Sequence, residues 1–184
     1  MFHKVLSLLP FVVVVMSQTV DVSFFNGAGC SSFAGACLGL VSESCCCDAG
    51  NPVAWQALST DNWDGVAPNT FVHAMAGPNE TFEECSIDLG TLSSGVCFDT
   101  GSPTGITSSQ FFNGGGETLE KRDDASGCTP HPIDIYYYSP GDGFQYIIYA
   151  NNSAHSSAIH SAKSNQVAEQ YIVANFDKKV PISA

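Results

Sequence analysis

Apolar and polar residues alternate along much of the chain, and the alternation predicts short strands. Val20, Val22 and Phe24 recur at every second position with Asp21 and Ser23 between them, as on a half-buried strand. Asn26-Gly27-Ala28-Gly29 follows as a turn. Val53 to Leu58, Phe71 to Met75, Phe82 to Leu92 and Gly105 to Phe112 read as further strands, separated by clusters of Asn, Asp, Gly and Pro. Ile133 to Tyr138 and Phe144 to Tyr149, joined by Ser139-Pro140-Gly141-Asp142-Gly143, make the clearest hairpin pattern. Towards the C-terminus Ile159, Ala162, Val167, Tyr171 and Ala174 fit one helical face, while Tyr171 to Phe176 has the composition of a strand. One short helix followed by a final strand is expected there. The fold class is therefore mainly β, an antiparallel sandwich or barrel with one short C-terminal helix.

The first segment does not fit this pattern. His3 and Lys4 precede an apolar run from Val5 to Val15, and Val15-Met16-Ser17 has the small-residue spacing of a signal-peptidase site. Cleavage after Ser17 is expected. The run is too short for the roughly 20 apolar residues of a bilayer span, so no membrane insertion is expected. Removing 17 residues from 184 leaves 167, beginning at Gln18. Residues 18–116 then form a cysteine-rich β region and 117–127 an acidic exposed loop. The C-terminal hairpin and helix or strand, 128–184, pack on the same domain. Phe24 to Gly29 is echoed by Phe111 to Gly116, as two strands each ending in an Asn-Gly turn would be.

All eight cysteines, Cys30, Cys37, Cys45, Cys46, Cys47, Cys85, Cys97 and Cys128, follow the signal segment. An even number in a secreted chain reads as four disulfides that staple the fold. Neighbouring Cα atoms lie about 3.8 Å apart whereas a disulfide spans about 4.4–6.8 Å, so Cys45, Cys46 and Cys47 each need a distant partner. Three of the five other cysteines are used in this way and the last two pair together, leaving 60 connectivities of the 105 for eight cysteines. On a strand, Cys45 and Cys47 point to one face and Cys46 to the other, a central staple. With no Cys-x-x-Cys and no paired histidines, no metal site is expected.

Charge narrows the partners. Eighteen acidic against six basic residues give a net charge of −12, too few cations for nucleic acid or an anionic membrane surface. Hydrophobic residues at 44 % exclude a disordered acidic tail. Asn79-Glu80-Thr81 and Asn151-Asn152-Ser153 are glycosylation sequons. Leu119-Glu120-Lys121-Arg122 resembles the cleavage site of kexin-type proteases in fungal propeptides, which makes a processed precursor one alternative.

Phe98-Asp99-Thr100-Gly101-Ser102 is similar to the aspartic-protease signature, in which two such aspartates share a proton and activate water. The chain has no second copy, so that resemblance implies a homodimer acting at acid pH, with Asp99 as the catalytic residue. The same residues also suit a β-turn. Asn151 to Ser156 nearly matches the calcium clamp of βγ-crystallins, with His155 where a hydroxyl ligand belongs. Calcium is the one cofactor that the pattern suggests, and otherwise none is expected. His155 and His160, five apart, fall on different faces of a helix, and His73 and His131 stand alone.

Val20 to Phe25, a turn, Cys30 and the later cysteine cluster resemble small secreted cysteine-rich fungal proteins, some with crystallin-like β-sandwiches. The resemblance spans residues 18–112. It implies an extracellular, non-catalytic role as an effector, a toxin-like protein or a wall-associated binder, with an extracellular glycan or protein surface as partner. Tyr136 and Tyr138 either stack on sugar rings or pack the hairpin's core.

Overall fold

In the computed structural model, residues 19–41, 44–47, 55–62, 71–76, 87–92, 95–100, 105–106, 108–112 and 129–182 are described. The alternating N-terminal segment is strand β1 (Thr19–Gly27), which pairs with β2 (Ser31–Val41) on one side. On its other side lies β4 (Ala57–Asp61), paired in turn with the edge strand β7 (Phe98–Asp99). The expected hairpin is β10 (Ile135–Tyr138) and β11 (Phe144–Tyr149); β10 adds to β2, and β12 (Lys178–Pro181) closes the edge. The resulting seven-stranded sheet runs β12-β11-β10-β2-β1-β4-β7. A second sheet, β6-β5-β8-β3-β9, joins β3 (Ser44–Cys47), β5 (Phe71–Ala76), β6 (Ile87–Leu92), β8 (Ser108–Phe112) and β9 (Thr129–Pro132). Pairing is antiparallel except between β3 and β9, which are parallel.

The two sheets share one core. Val20, Val22, Phe24 and Leu58 from the first sheet meet Cys46, Val72, Ala74 and Leu92 from the second, all within 1 % of complete burial. Over β10 and β11 the inner face is covered instead by helices α1 (Ser153–His160) and α2 (Asn165–Asn175). On the outer face Ala36, Ile135 and Ile147 form a smaller cluster with Tyr137 and Val180. The alternation on β10 thus buries both of its faces, the arrangement expected of an inner strand.

Strand β2 reconciles opposite parities. Phe33 and Cys37 face inward at odd positions, yet so does Leu40. Val20 pairs with Leu40 and Val22 with Cys37, so β2 carries one extra residue there, a β-bulge with Gly39 at φ 63°. A bulge releases backbone N–H groups from the ladder, and here two carboxylates take them. Asp134 Oδ2 accepts from Leu38 N–H at 2.8 Å, and Asp21 Oδ1 accepts from Gly39 N–H at 2.7 Å. Asp21 is held from the far side by Asn62, and Asp134 by His131 Nε2 at 2.9 Å.

Three expectations change. Tyr171 to Asn175 lies in α2 rather than in a strand, so the described C-terminal region has two helices. Ser164 caps α2 by accepting from Val167 N–H, and Ala168 and Ile172, one turn apart, bury against the sheet. The final strand is Lys178–Pro181, further along. In the segment expected as Val53 to Leu58, the regular strand begins at Ala57, and Trp55 instead forms an isolated bridge with Ile106.

Candidate functional site

Two bridges are fully described. Cys37–Cys46 joins β2 to β3 and hence sheet to sheet, with both residues at 0 % exposure. Cys30–Cys97 ties the β1–β2 turn to the segment leading into β7. Cys45 is disulfide-bonded as well, to a residue outside the described ones. The triplet does occupy a strand, and all three of its members are buried. Cys46 points to the inter-sheet core, so Cys45 and Cys47 lie on the opposite face. Cys30–Cys97 is a pair that excludes the triplet, as the expected scheme requires of one bridge. Cys85 and Cys128 are the candidates for the partner of Cys45, and no bridge of Cys47 is seen among the described residues, where its Sγ lies 3.9 Å from His131 O. Cys85 and Cys128 themselves lie outside the described residues, as do Ser17, Asn79, Lys121 and Arg122.

Asp99 stands on the exposed edge strand β7, opposite Ala57. Its Oδ2 accepts from Gly29 N–H at 2.9 Å, and Thr100 both through N–H and through its hydroxyl reaches Gln56 O at 3.2 Å. Asp99 thereby fixes the β1–β2 turn that the Cys30–Cys97 bridge also holds, and Thr100 fastens the end of β7 to Gln56. The calcium-clamp residues open α1. Asn152 caps the helix through Ala154 N–H at 3.1 Å, Ser156 Oγ donates to Ala150 O, and His155 Nδ1 lies 3.0 Å from the Tyr171 hydroxyl. Asn151 is exposed in the turn just before them, open to an attached glycan. Among the described residues no group of three or more His, Cys, Asp or Glu is placed to hold a metal.

The hairpin carries a rigid aromatic ledge. Phe144 and Tyr146, on one face of β11, lie beneath the Lys179 ammonium, 4.0 and 4.6 Å from its nitrogen, a cation–π arrangement. Phe176 meets Tyr146 edge-on with ring centroids 5.3 Å apart. Phe144 and Phe176 keep 37 % and 43 % of their surface in solvent, and Ile182 lies nearby, its N–H bonded to Gly143 O. Asp142 pins the turn by accepting from Tyr146 Oη at 2.6 Å and from Phe144 N–H at 3.1 Å. The Tyr146 hydroxyl bond is the main reason that the Asp142 carboxyl sits below the usual carboxylate range.

Of the tyrosines singled out from the sequence, Tyr136 is core, 1 % exposed, with its hydroxyl 2.8 Å from His160 Nε2. Tyr138 packs against the core edge, and burial followed by the nearby Glu169 raises its pKa. The exposed rings of this region are Phe144, Tyr149 and Phe176, of which Phe144 and Phe176 flank Tyr146. Phe144 was legible only as the start of a strand, and Phe176 only as the end of one; a turn Asp two residues before an aromatic was the one local signal.

A recess lies at the other end of the same C-terminal unit, where the α1–α2 connection meets the β1–β2 end of the sheet. Its volume is about 180 Å³. Phe33 and Trp55 form its floor, the rings edge-on with centroids 5.8 Å apart. Asn165 Nδ2 donates to Asn26 O and Ser32 Oγ to Glu169 Oε1, fastening α2 to the strands beside it. Neither Trp55 nor Lys163 was singled out in the sequence, because the recess assembles from four separate stretches and has no linear motif.

No family model matches the chain, and no match is found among curated proteins or solved structures.

Proposed function

We propose that this is a secreted, disulfide-stapled β-sandwich that works by binding an extracellular glycan or protein surface, without catalysis. The observation that carries this reading is the ledge of Phe144, Tyr146 and Phe176. The half-exposed Phe144 is held in place by Asp142, Lys179 and the strand pairing of β11 and β12, and the half-exposed Phe176 meets Tyr146 edge-on. Rings immobilised before contact lose little side-chain freedom on binding, which is what an aromatic recognition surface needs. Flat apolar faces flanked by a cation and backbone groups suit stacking against a sugar ring or seating against a protein side chain. The bulge carboxylates and the Cys37–Cys46 bridge stabilise the sheet from which the hairpin projects.

The test is a glycan array and an extracellular-protein array probed with the purified chain, followed by Phe144→Ala and Phe176→Ala. Each substitution is expected to weaken binding about tenfold, a loss of about 1.4 kcal/mol, while leaving circular dichroism unchanged. Binding insensitive to both substitutions overturns the assignment to this surface. Proteolysis at acid pH that is lost in Asp99→Asn overturns the non-catalytic reading.

A further inference from the structure

The recess at the α1–α2 connection has the chemistry of a small-ligand site, and its argument is independent of the ledge. Its walls are divided. Phe33, Trp55, Ile159, Ala162 and Ala168 supply an apolar body. His160, Lys163, Ser164 and Asn165 supply polar groups, and no carboxylate is among the described residues that line it.

Two observations point to an anionic acceptor. Trp55 is 1 % exposed, and its indole Nε1–H has no hydrogen-bond acceptor among the described residues. A buried donor left unmade costs about 1–3 kcal/mol, which an incoming acceptor recovers. The second observation is the start of α2, an 11-residue helix whose first residues line the recess. The Ser164 hydroxyl takes Val167 N–H, and the first-turn N–H groups of Asn165 and Gln166 have no acceptor within the helix. The positive end of the helix dipole therefore faces the recess beside the Lys163 ammonium. In a chain with 18 acidic and six basic residues, this is a local reversal of the overall field.

Volume sets the size of the occupant. An apolar cavity of about 150 Å³ admits benzene, whereas sites for drug-sized molecules run from about 300 Å³ upward. At about 180 Å³ the recess holds one ring or one branched aliphatic group with a single polar substituent. We propose that it binds a small monocarboxylate with a compact apolar body. The carboxylate lies among the Trp55 indole N–H, Lys163 and the α2 N-terminus, and the apolar body lies against Phe33 and Ile159. The largely apolar floor gives the hydroxyls of a sugar acid few partners.

The experiment uses the purified full-length secreted chain with three probes, benzoate, benzyl alcohol and glucuronate, read by ligand-observed NMR and thermal shift. Benzoate is expected to bind saturably and to raise the Tm with dose. Benzyl alcohol is expected to bind at least tenfold more weakly, and glucuronate not at all. Lys163 is exposed, so Lys163→Met leaves the fold intact; it is expected to weaken benzoate about tenfold and leave benzyl alcohol unchanged. Trp55→Phe removes the indole donor and weakens benzoate as well; should it fail to fold, Lys163→Met carries the test alone. Phe144→Ala is expected to leave benzoate binding untouched, which separates this site from the ledge. Equal binding of benzoate and benzyl alcohol, no effect of Lys163→Met, or no binding of benzoate overturns the proposal. Glucuronate binding in preference to benzoate overturns the apolar body.

Discussion

The two described bridges should stabilise the fold by different routes, and the difference is measurable. Cys30–Cys97 spans 67 positions, and Cys37–Cys46 spans nine. Loop-closure entropy assigns about 4.4 kcal/mol to the first and about 2.6 kcal/mol to the second. The Cys37–Cys46 bridge closes a short cut inside the longer loop, which lowers the first figure by only about 0.1 kcal/mol because the dependence on length is logarithmic. Burial works in the opposite direction. Cys37 and Cys46 are both at 0 % exposure, whereas Cys97 is exposed and Cys30 half-buried. Deleting two core sulfurs leaves voids costing on the order of 1 kcal/mol each. Cys30→Ala with Cys97→Ala, and Cys37→Ala with Cys46→Ala, should therefore lose similar stability, about 4–5 kcal/mol each. What separates them is the unfolded chain. Releasing the long loop lets the unfolded state expand, so the denaturant m-value rises clearly in the first pair and hardly in the second. Urea unfolding in non-reducing buffer, followed by circular dichroism, measures both quantities. A Cys30/Cys97 double variant that keeps the parental m-value and loses less than about 1.5 kcal/mol would refute the reasoning.

Two further outcomes follow from the packing. A Cβ on Gly35 would stand 2.7 Å from Ile133 Cδ1 and 3.3 Å from the Trp55 ring. Gly35→Ala should thus destabilise by about 1–3 kcal/mol in chemical denaturation despite alanine's better backbone entropy, and a neutral result would show that the contact yields. Burial, with a smaller contribution from the Asp61 charge and partly offset by the Ser23 hydrogen bond, pushes Tyr137 up to about 12 from 10.0. A folded-state pKa above the unfolded one gives stability that is intact below pH 10 and falls as pH rises towards 12, by about 2–3 kcal/mol. Tyr137→Phe should remove that part of the alkaline decline, and an unchanged slope would exclude Tyr137 as its source.

How much was legible in the sequence follows from which signals are local. The alternation of Val20, Val22 and Phe24 and the hairpin about Pro140-Gly141-Asp142 read correctly, because each depends on side chains within one segment. Strand β2 carries no such local signal. Its Ala34-Gly35-Ala36 stretch is small because both faces are covered, and the bulge at Gly39 reverses parity between Cys37 and Leu40, so no period-2 pattern survives. The helix over Tyr171 to Asn175 was obscured for a related reason. β-branched and aromatic residues there favour a strand locally, and only the burial of Ala168 and Ile172 against the sheet selects the helix.

The same cause hid the recess. Gly35 has no side chain because Trp55 lies across it, and Trp55 can lie there only because β2 runs through the centre of the sheet. Asn26, Phe33, Trp55 and the α1–α2 connection then converge from separate parts of the chain. A missed central strand thus becomes a missed site, since the strand that lacked a sequence pattern is the one on which the cavity's floor rests. The ledge differs only in degree. Its rings are adjacent on β11, but Phe176 joins them through the tertiary path of α2, and that path was the part of the C-terminus that local composition misassigned.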